Sequence, residues 1–205
     1  MTALPKKPKV NKRQQPQGWD RVHKYQLLLY LSMFSSGTLF LFILVAFYAT
    51  KGSEDQLTVS GYFGISTSLL LLSSYPIGRL AEAYRKEKHR QLIKNLSIAA
   101  FSGALFILMQ LVGWQEMTSN GTGISERANA FLMLLSGLHL LHIVTMVLVT
   151  TVFMYYYARQ LSDPVKRLIF LTNPYEEMRL QLLSQSWVFL HILWVAIYLS
   201  FLLLK

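Results

Sequence analysis

Cysteine is absent from this chain of 205 residues. That excludes disulfides, thiolate metal sites, iron–sulfur clusters and haem attached through a Cys-x-x-Cys-His motif. Acidic residues are scarce too, with 10 Asp and Glu against 20 Lys and Arg, and only 15% of the chain is charged. A soluble domain carries about 25% charged residues, so the deficit points away from one. What is abundant is apolar: 53% of the residues are hydrophobic and 13% aromatic. These proportions fit a membrane bundle. The net charge of +10 does not indicate nucleic acid, because the basic residues flank apolar runs.

Five stretches, residues 26–49, 61–80, 92–113, 129–157 and 184–204, each come near the ~20 residues that a bilayer core requires. The fold class expected is an all-α integral membrane protein, a bundle of five transmembrane helices occupying residues 26–205. Residues 1–25 form a basic tail in which Pro5, Pro8 and Pro16 oppose helix. The apolar run that follows is too long for a cleaved signal peptide. Seventeen of the twenty basic residues fall in the tail, in 79–94 and in 158–183, leaving Lys51, Arg127 and Lys205 for the other side. The positive-inside rule then predicts a cytoplasmic amino terminus and an outer carboxyl terminus.

Within this frame, Pro76 and Gly78 predict a kink near the inner end of span two. Ser97, Ser102, Gly103 and Ala104 predict a small-residue packing face on span three. Span four is long enough to tilt or project from the membrane. In the following connection, Asp163-Pro164 and Asn173-Pro174 predict a short interfacial turn and then a helix from about Pro174 that merges with span five. Asn120-Gly121-Thr122 is formally a glycosylation triplet but reads first as a turn.

Polar groups inside lipid need partners. The clearest are in Ser136-Gly137-Leu138-His139-Leu140-Leu141-His142, where Gly137 would admit a neighbouring backbone, Ser136 offers a hydroxyl, and His139 and His142 share roughly one helix face. His191 joins them from span five. A haem between helices is disfavoured by depth: at about 1.5 Å per residue, His142 lies roughly 24 Å from the inner end of span four and His191 only about 10 Å into span five. Packed, hydrogen-bonded histidines are expected instead. Trp187 and Trp194 flank His191 on one face, Trp187 as an interfacial anchor and Trp194 packed within protein or against lipid tails. All five span interiors lack Asp and Glu, which argues against a transporter or proton pump. Glu116, just beyond span three, is either a solvated loop carboxylate or a structural acceptor. No nucleophile–base–acid arrangement or paired carboxylates are visible.

Four passages together resemble subunit III of the haem-copper respiratory oxidases, in its five-helix form. Ser66-Thr67-Ser68-Leu69-Leu70-Leu71-Leu72-Ser73-Ser74 is similar to that family's Asn-Thr-x-Leu-Leu-Leu-Ser-Ser. Gln110 to Glu116 looks like its Gln-x-x-Glu-Tyr-x-Glu, and Ser136 to His142 resembles its Thr-Gly-x-His-x-x-His. Ser186 to Trp194 resembles its Tyr-Trp-His-Phe-x-Asp-x-x-Trp. The departures all concern charge or hydrogen bonding. Ser35, Ser36 and Gly37 occupy the region of a family acid in span one, and Gly113 stands for a Glu. Val188 replaces the His and His191 the Asp. Carboxylate-dependent roles of the family are therefore not carried over. The two extra amino-terminal helices of seven-helix members, which form a lipid-filled cleft, are not expected here.

The resemblance implies a non-catalytic subunit of a cytochrome c oxidase in the bacterial cytoplasmic membrane. Haem and copper would be held by partner subunits I and II, with no cofactor in this chain. It implies structural phospholipids near the proton-uptake side, and it allows a larger respiratory supercomplex. His139, His142, Ser136, Gly137, Trp187, His191, Trp194 and Glu116 are the structural and intersubunit candidates. Arg79, Arg85, Lys86 and Arg159 are the candidates for lipid head groups. Two alternatives stay open: the subunit-III-like accessory protein of nitric oxide reductases, and a free-standing haem b protein using His139 or His142.

Overall fold

A computed structural model describes residues 24–50, 52, 59–119, 127–171 and 173–203. The basic tail before Lys24, most of residues 51–58, the Asn120-Gly121-Thr122 turn and Lys205 lie outside the described residues. Every described element is helical: α1 Lys24–Thr50, α2 Gly61–Gly78, α3 Leu80–Arg85, α4 His89–Ser119, α5 Arg127–Leu161, α6 Pro164–Leu171 and α7 Pro174–Leu202. Four of them, α1, α4, α5 and α7, are long and apolar enough to cross a membrane. The 18-residue α2 is shorter and diluted by serine, threonine and glycine.

α4 is the central post, with α2 along one side and α5 along the other, while α7 packs against both α2 and α5. Small residues make this possible. Ser102, Gly103 and Gly113 are buried on α4, and a Cβ at Gly103 would lie 2.5 Å from Val147 and 2.8 Å from the Trp187 ring. At Gly113 it would lie 2.6 Å from Phe63. Ala104, expected on the same packing face, is exposed instead. One residue on an α-helix turns the side chain by about 100°, which carries it off the seam. α1 is peripheral: among the described residues it packs chiefly against α5 and α7 and buries just Phe40 and Phe47.

The helix ends carry their own chemistry. Ser60 caps α2 by accepting from the Tyr62 amide at 3.2 Å. At the other end α2 does not merely kink. It stops at Gly78, and Arg79 separates it from α3; Pro76 leaves the Leu72 carbonyl without its helix donor in the last turn of α2. α3 closes through the Lys88 amide on the Ala83 carbonyl and the Glu87 amide on the Tyr84 carbonyl, both 2.9 Å. This pair is a Schellman closure, which requires a left-handed residue at the position Glu87 occupies with φ 53°. Glycine adopts that conformation freely. Glu87→Gly is therefore expected to raise stability by about 1 kcal/mol, read as a higher unfolding temperature in mild detergent.

The α5–α7 connection has the expected helix from Pro174, but the turn expected before it is itself a short helix, α6. Asp163 caps α6 by accepting from the Val165 amide at 2.9 Å, and Asn173 caps α7 by accepting from the Tyr175 amide at 3.1 Å. α7 then runs unbroken to Leu202. The α3 and α6 ends are latched by Tyr84, whose hydroxyl sits 2.6 Å from the Phe170 carbonyl and 2.9 Å from that of Asn173. Burial, and then the carboxylates of Glu176 and Glu177, push this phenol up to about 12. A raised phenol pKa means that the latch is fully present below the ordinary value near 10 and is lost as pH climbs from there towards 12. Tyr84→Phe should lower stability by about 1 kcal/mol at neutral pH. It should also remove this part of the alkaline unfolding profile, measured as the difference between the two proteins.

Candidate functional site

About half of the buried polar residues come from the four sequence passages (Ser66, Thr67, Ser73, Gln110, Ser136, His139 and His191), and several of these bond across helices. The Gln110 amide donates to the Ser66 hydroxyl at 3.0 Å, joining α4 to α2. The Trp114 indole donates to Ser136 at 2.9 Å, joining α4 to α5. The Trp194 indole donates to Thr67 at 2.8 Å, joining α7 to α2. His139 of α5 stacks on the Trp194 ring, with centroids 5.1 Å apart and planes at 28°. Each indole N–H thus meets a hydroxyl on a different helix, which removes the cost of burying it in a medium without water.

His139 is fully buried, walled by Phe40, Phe106 and Trp194 at centroid distances of 6.5, 5.7 and 5.1 Å. Neither of its ring nitrogens has a hydrogen-bond partner among the described residues. That corrects the expectation of a hydrogen-bonded imidazole; aromatic packing took the place of polar partners. His142 turns outward from it. Its Nδ1 lies 2.7 Å from the Leu138 carbonyl and its Nε2 3.2 Å from the Ser36 hydroxyl. A carbonyl only accepts, so Nδ1 carries the hydrogen and Nε2 accepts from Ser36. Ser36, which had no role in the sequence reading beyond standing for an absent acid, is the partner of His142.

His191 holds Ser74 of α2 through Nδ1 at 2.8 Å. Its depth differs from the sequence reckoning. α7 begins at Pro174, so His191 lies roughly 25 Å along its helix, and it sits one turn from the Trp194 that stacks on His139. The dozen-ångström offset disappears because span five starts about ten residues before Ser184. Depth therefore no longer argues against a haem, but packing does. Phe40, Phe106 and Trp194 fill the space beside the His139 ring, so a macrocycle does not fit there. Among the described residues no group of three or more His, Asp and Glu is placed to hold a metal ion.

Trp187 and Gly137 differ from the sequence expectation, and Glu116 takes the second of its two expected roles. Trp187 is no interfacial anchor: it is completely buried, donating to Thr150 at 2.9 Å and lying over Gly103. The extension of α7 moves it from the rim to the interior. At Gly137 an added Cβ would meet the Trp114 ring at 3.6 Å, an ordinary contact, so an indole and not a backbone approaches it. Glu116 lies within α4, which continues to Ser119, and accepts the hydroxyl hydrogen of Ser60, the cap of α2. It is a structural acceptor. Trp194 packs within protein, as expected.

The cations separate into two sets. Arg85 pairs with Glu177 at 3.2 Å and Lys86 with Glu82 at 2.6 Å. The Lys86 ammonium in turn holds the exposed Glu82 carboxyl below the usual range. Arg79 stacks over Tyr75 at 4.3 Å, and Arg159 is exposed on the last turn of α5. Of the four head-group candidates, two are thus already tied to carboxylates. Thr67, Thr150 and Ser36, the hydroxyl partners of Trp194, Trp187 and His142, have no such role in the sequence analysis. A hydroxyl on a serine-rich helix carries no signal of which neighbour it faces.

The class that this fold and interior define is a multi-pass, all-α membrane protein whose polar groups join its own helices. No protein-family model matches the chain.

Proposed function

We propose that this chain is a non-catalytic subunit III of a haem-copper terminal oxidase of the cytochrome c oxidase kind, in a bacterial cytoplasmic membrane. In this reading α2 is a fifth span, the amino terminus is cytoplasmic and the carboxyl terminus lies outside. The observation that carries it is the convergence of the four resembling passages. They are scattered from Ser66 to Trp194 in the sequence, yet they meet through Gln110–Ser66, Trp114–Ser136, Trp194–Thr67 and His139–Trp194. Chance matches to a family would not need to touch one another.

The chemistry available is support. Among the described residues the buried Glu176 carboxylate is taken up by Tyr157 and Arg179 near the start of α7, and the other interior polar groups join helices, so in this reading the chain acts by packing and by excluding water beside a catalytic neighbour. The haems and copper belong to that neighbour and to subunit II. The cationic inner rim would hold anionic lipid near the proton-uptake side.

Purification of the full chain from its native membrane in mild detergent tests this. The expected result is a complex with two larger polypeptides carrying haem and copper. A chain that emerges alone, or one with a Soret band of its own, overturns the proposal. Partners with haem and non-haem iron but no copper move it to the accessory protein of a nitric oxide reductase.

A further inference from the structure

Between α1, α5 and α7 lies a crevice of about 240 Å³, whose walls include Met33 and Ser36 of α1, His142 and Met146 of α5, and Phe189 of α7. Among the described residues no Asp, Glu, Lys or Arg lines it. Both methionines and His142 are half-buried.

The register of α1 on α5 brings the two methionines together. The Arg127 guanidinium reaches the Thr50 carbonyl at 2.9 Å, Phe47 meets Phe131 at 5.6 Å, and Ser36 meets His142 at 3.2 Å. The helices are therefore antiparallel, and each step back along α1 is matched by one step forward along α5. Carried three residues past Ser36, the same register sets Met33 opposite Thr145 and Met146. The methionines thus lie one turn beyond the Ser36–His142 pair, on facing walls. A helical side chain leans toward the amino-terminal end of its helix, which on α5 carries Met146 toward His142. The three rotatable bonds of Met33 let its sulfur cross the crevice to join them.

The imidazole has the bonding of a metal ligand. Its Nδ1–H is held by the Leu138 carbonyl at 2.7 Å, the outer-shell bond that metal-ligating histidines make through their second nitrogen. That fixes the tautomer and leaves the Nε2 lone pair at the crevice, where a neutral serine hydroxyl meets it. With no cysteine in the chain, thioethers are its only sulfur donors. Two thioethers and a neutral imidazole form a soft, uncharged ligand set, which selects Cu(I). Magnesium, calcium and manganese require oxygen ligands, and a structural zinc site draws on thiolate or carboxylate as well as imidazole. A dication would also bring its larger charge into a low-dielectric medium with no carboxylate to offset it.

We propose that this crevice binds one soft monovalent cation, Cu(I), through the sulfurs of Met33 and Met146 and Nε2 of His142. The assignment does not depend on the oxidase reading, in which haem and copper belong to partner subunits.

The test is anaerobic titration of the full chain in non-ionic detergent with Cu(I), in competition with a chromogenic Cu(I) chelator. The wild type should take up one equivalent, and X-ray absorption should show sulfur and imidazole scatterers on the metal. Loss of an outer-shell partner weakens a metal site about 10–100-fold, so loss of both sulfurs in Met33→Leu/Met146→Leu should weaken it on the order of a hundredfold or more. Leucine conserves the volume, so this variant keeps the fold. His142→Gln should also weaken binding. Met109→Leu, on α4 outside the crevice, and Ser36→Ala, which frees Nε2, should not.

Wild-type affinity in the double methionine variant marks the uptake as adventitious and overturns the proposal. So does an equal loss in Met109→Leu or Ser36→Ala. Zn(II) held as tightly as Cu(I), or copper surrounded by nitrogen and oxygen alone, overturns it as well. If His142→Gln does not fold, the methionine pair carries the test.

Discussion

Trp194→Ala is expected to lower the stability of the bundle by about 3–5 kcal/mol. The indole lies at the junction of four helices. It stacks on His139 of α5, meets Phe106 of α4 edge-on at 5.2 Å and Phe63 of α2 at 6.2 Å, and donates to Thr67 of α2. Removing it opens a cavity whose aromatic walls cannot collapse together, because each is fixed to a separate helix. It also strips His139 of its stacking partner while leaving both imidazole nitrogens unpaired. Trp194→Phe is the informative control. The ring remains and Thr67 still donates to the Phe63 carbonyl at 2.6 Å, so the loss should fall to about 1 kcal/mol. Thermal unfolding in mild detergent, followed by far-ultraviolet circular dichroism, measures both. A Trp194→Ala protein as stable as wild type would show that the four passages do not depend on one another.

Gly103→Leu is expected to cost about 3 kcal/mol, whereas Gly137→Ala should be neutral or slightly stabilising. At Gly103 even a Cβ would lie 2.5 Å from Val147 and 2.8 Å from Trp187. Val147 has no long side chain to swing aside. Trp187 is pinned by its hydrogen bond to Thr150 and is completely buried. The added atoms must therefore push α4 from α5 and α7 together. At Gly137 the nearest atom to a new Cβ belongs to Trp114 at 3.6 Å, and alanine gains about 1 kcal/mol of helix propensity over glycine. The comparison is made on one protein by one method, the unfolding temperature of each variant. Equal losses at both positions would contradict the packing described for α4.

The two glycines mark the boundary of what a sequence can reveal. Gly137 attracted notice because histidines and a serine surround it, and Gly103 was one small residue among several. Composition cannot tell which small residue faces a bulky ring, since that depends on the rotation and register of two helices. The same holds for the tryptophans. Their seven-residue spacing placed them on one face, but the depth of Trp187 depended on α7 starting at Pro174. The helix start at Pro174 was legible from Asn173-Pro174, but the polar first turn of α7, with Glu176 and Glu177, gave no sign of how deep the helix carries Trp187. Ser36 and His142 lie 106 positions apart, so no local pattern could pair them.

The primary sequence by itself determined an all-α, membrane-embedded class of fold, the approximate position of each apolar helix, the helix start at Pro174, and the absence of thiol chemistry. These follow from run length, residue type and neighbours within one turn, all of which are local. Only the tertiary structure decided that His139 is walled in by rings and that the indoles of Trp114, Trp187 and Trp194 each have a hydroxyl waiting on another helix. Those facts depend on how helices rotate and slide against each other. Close packing settles that for the whole bundle at once, and no single segment carries it.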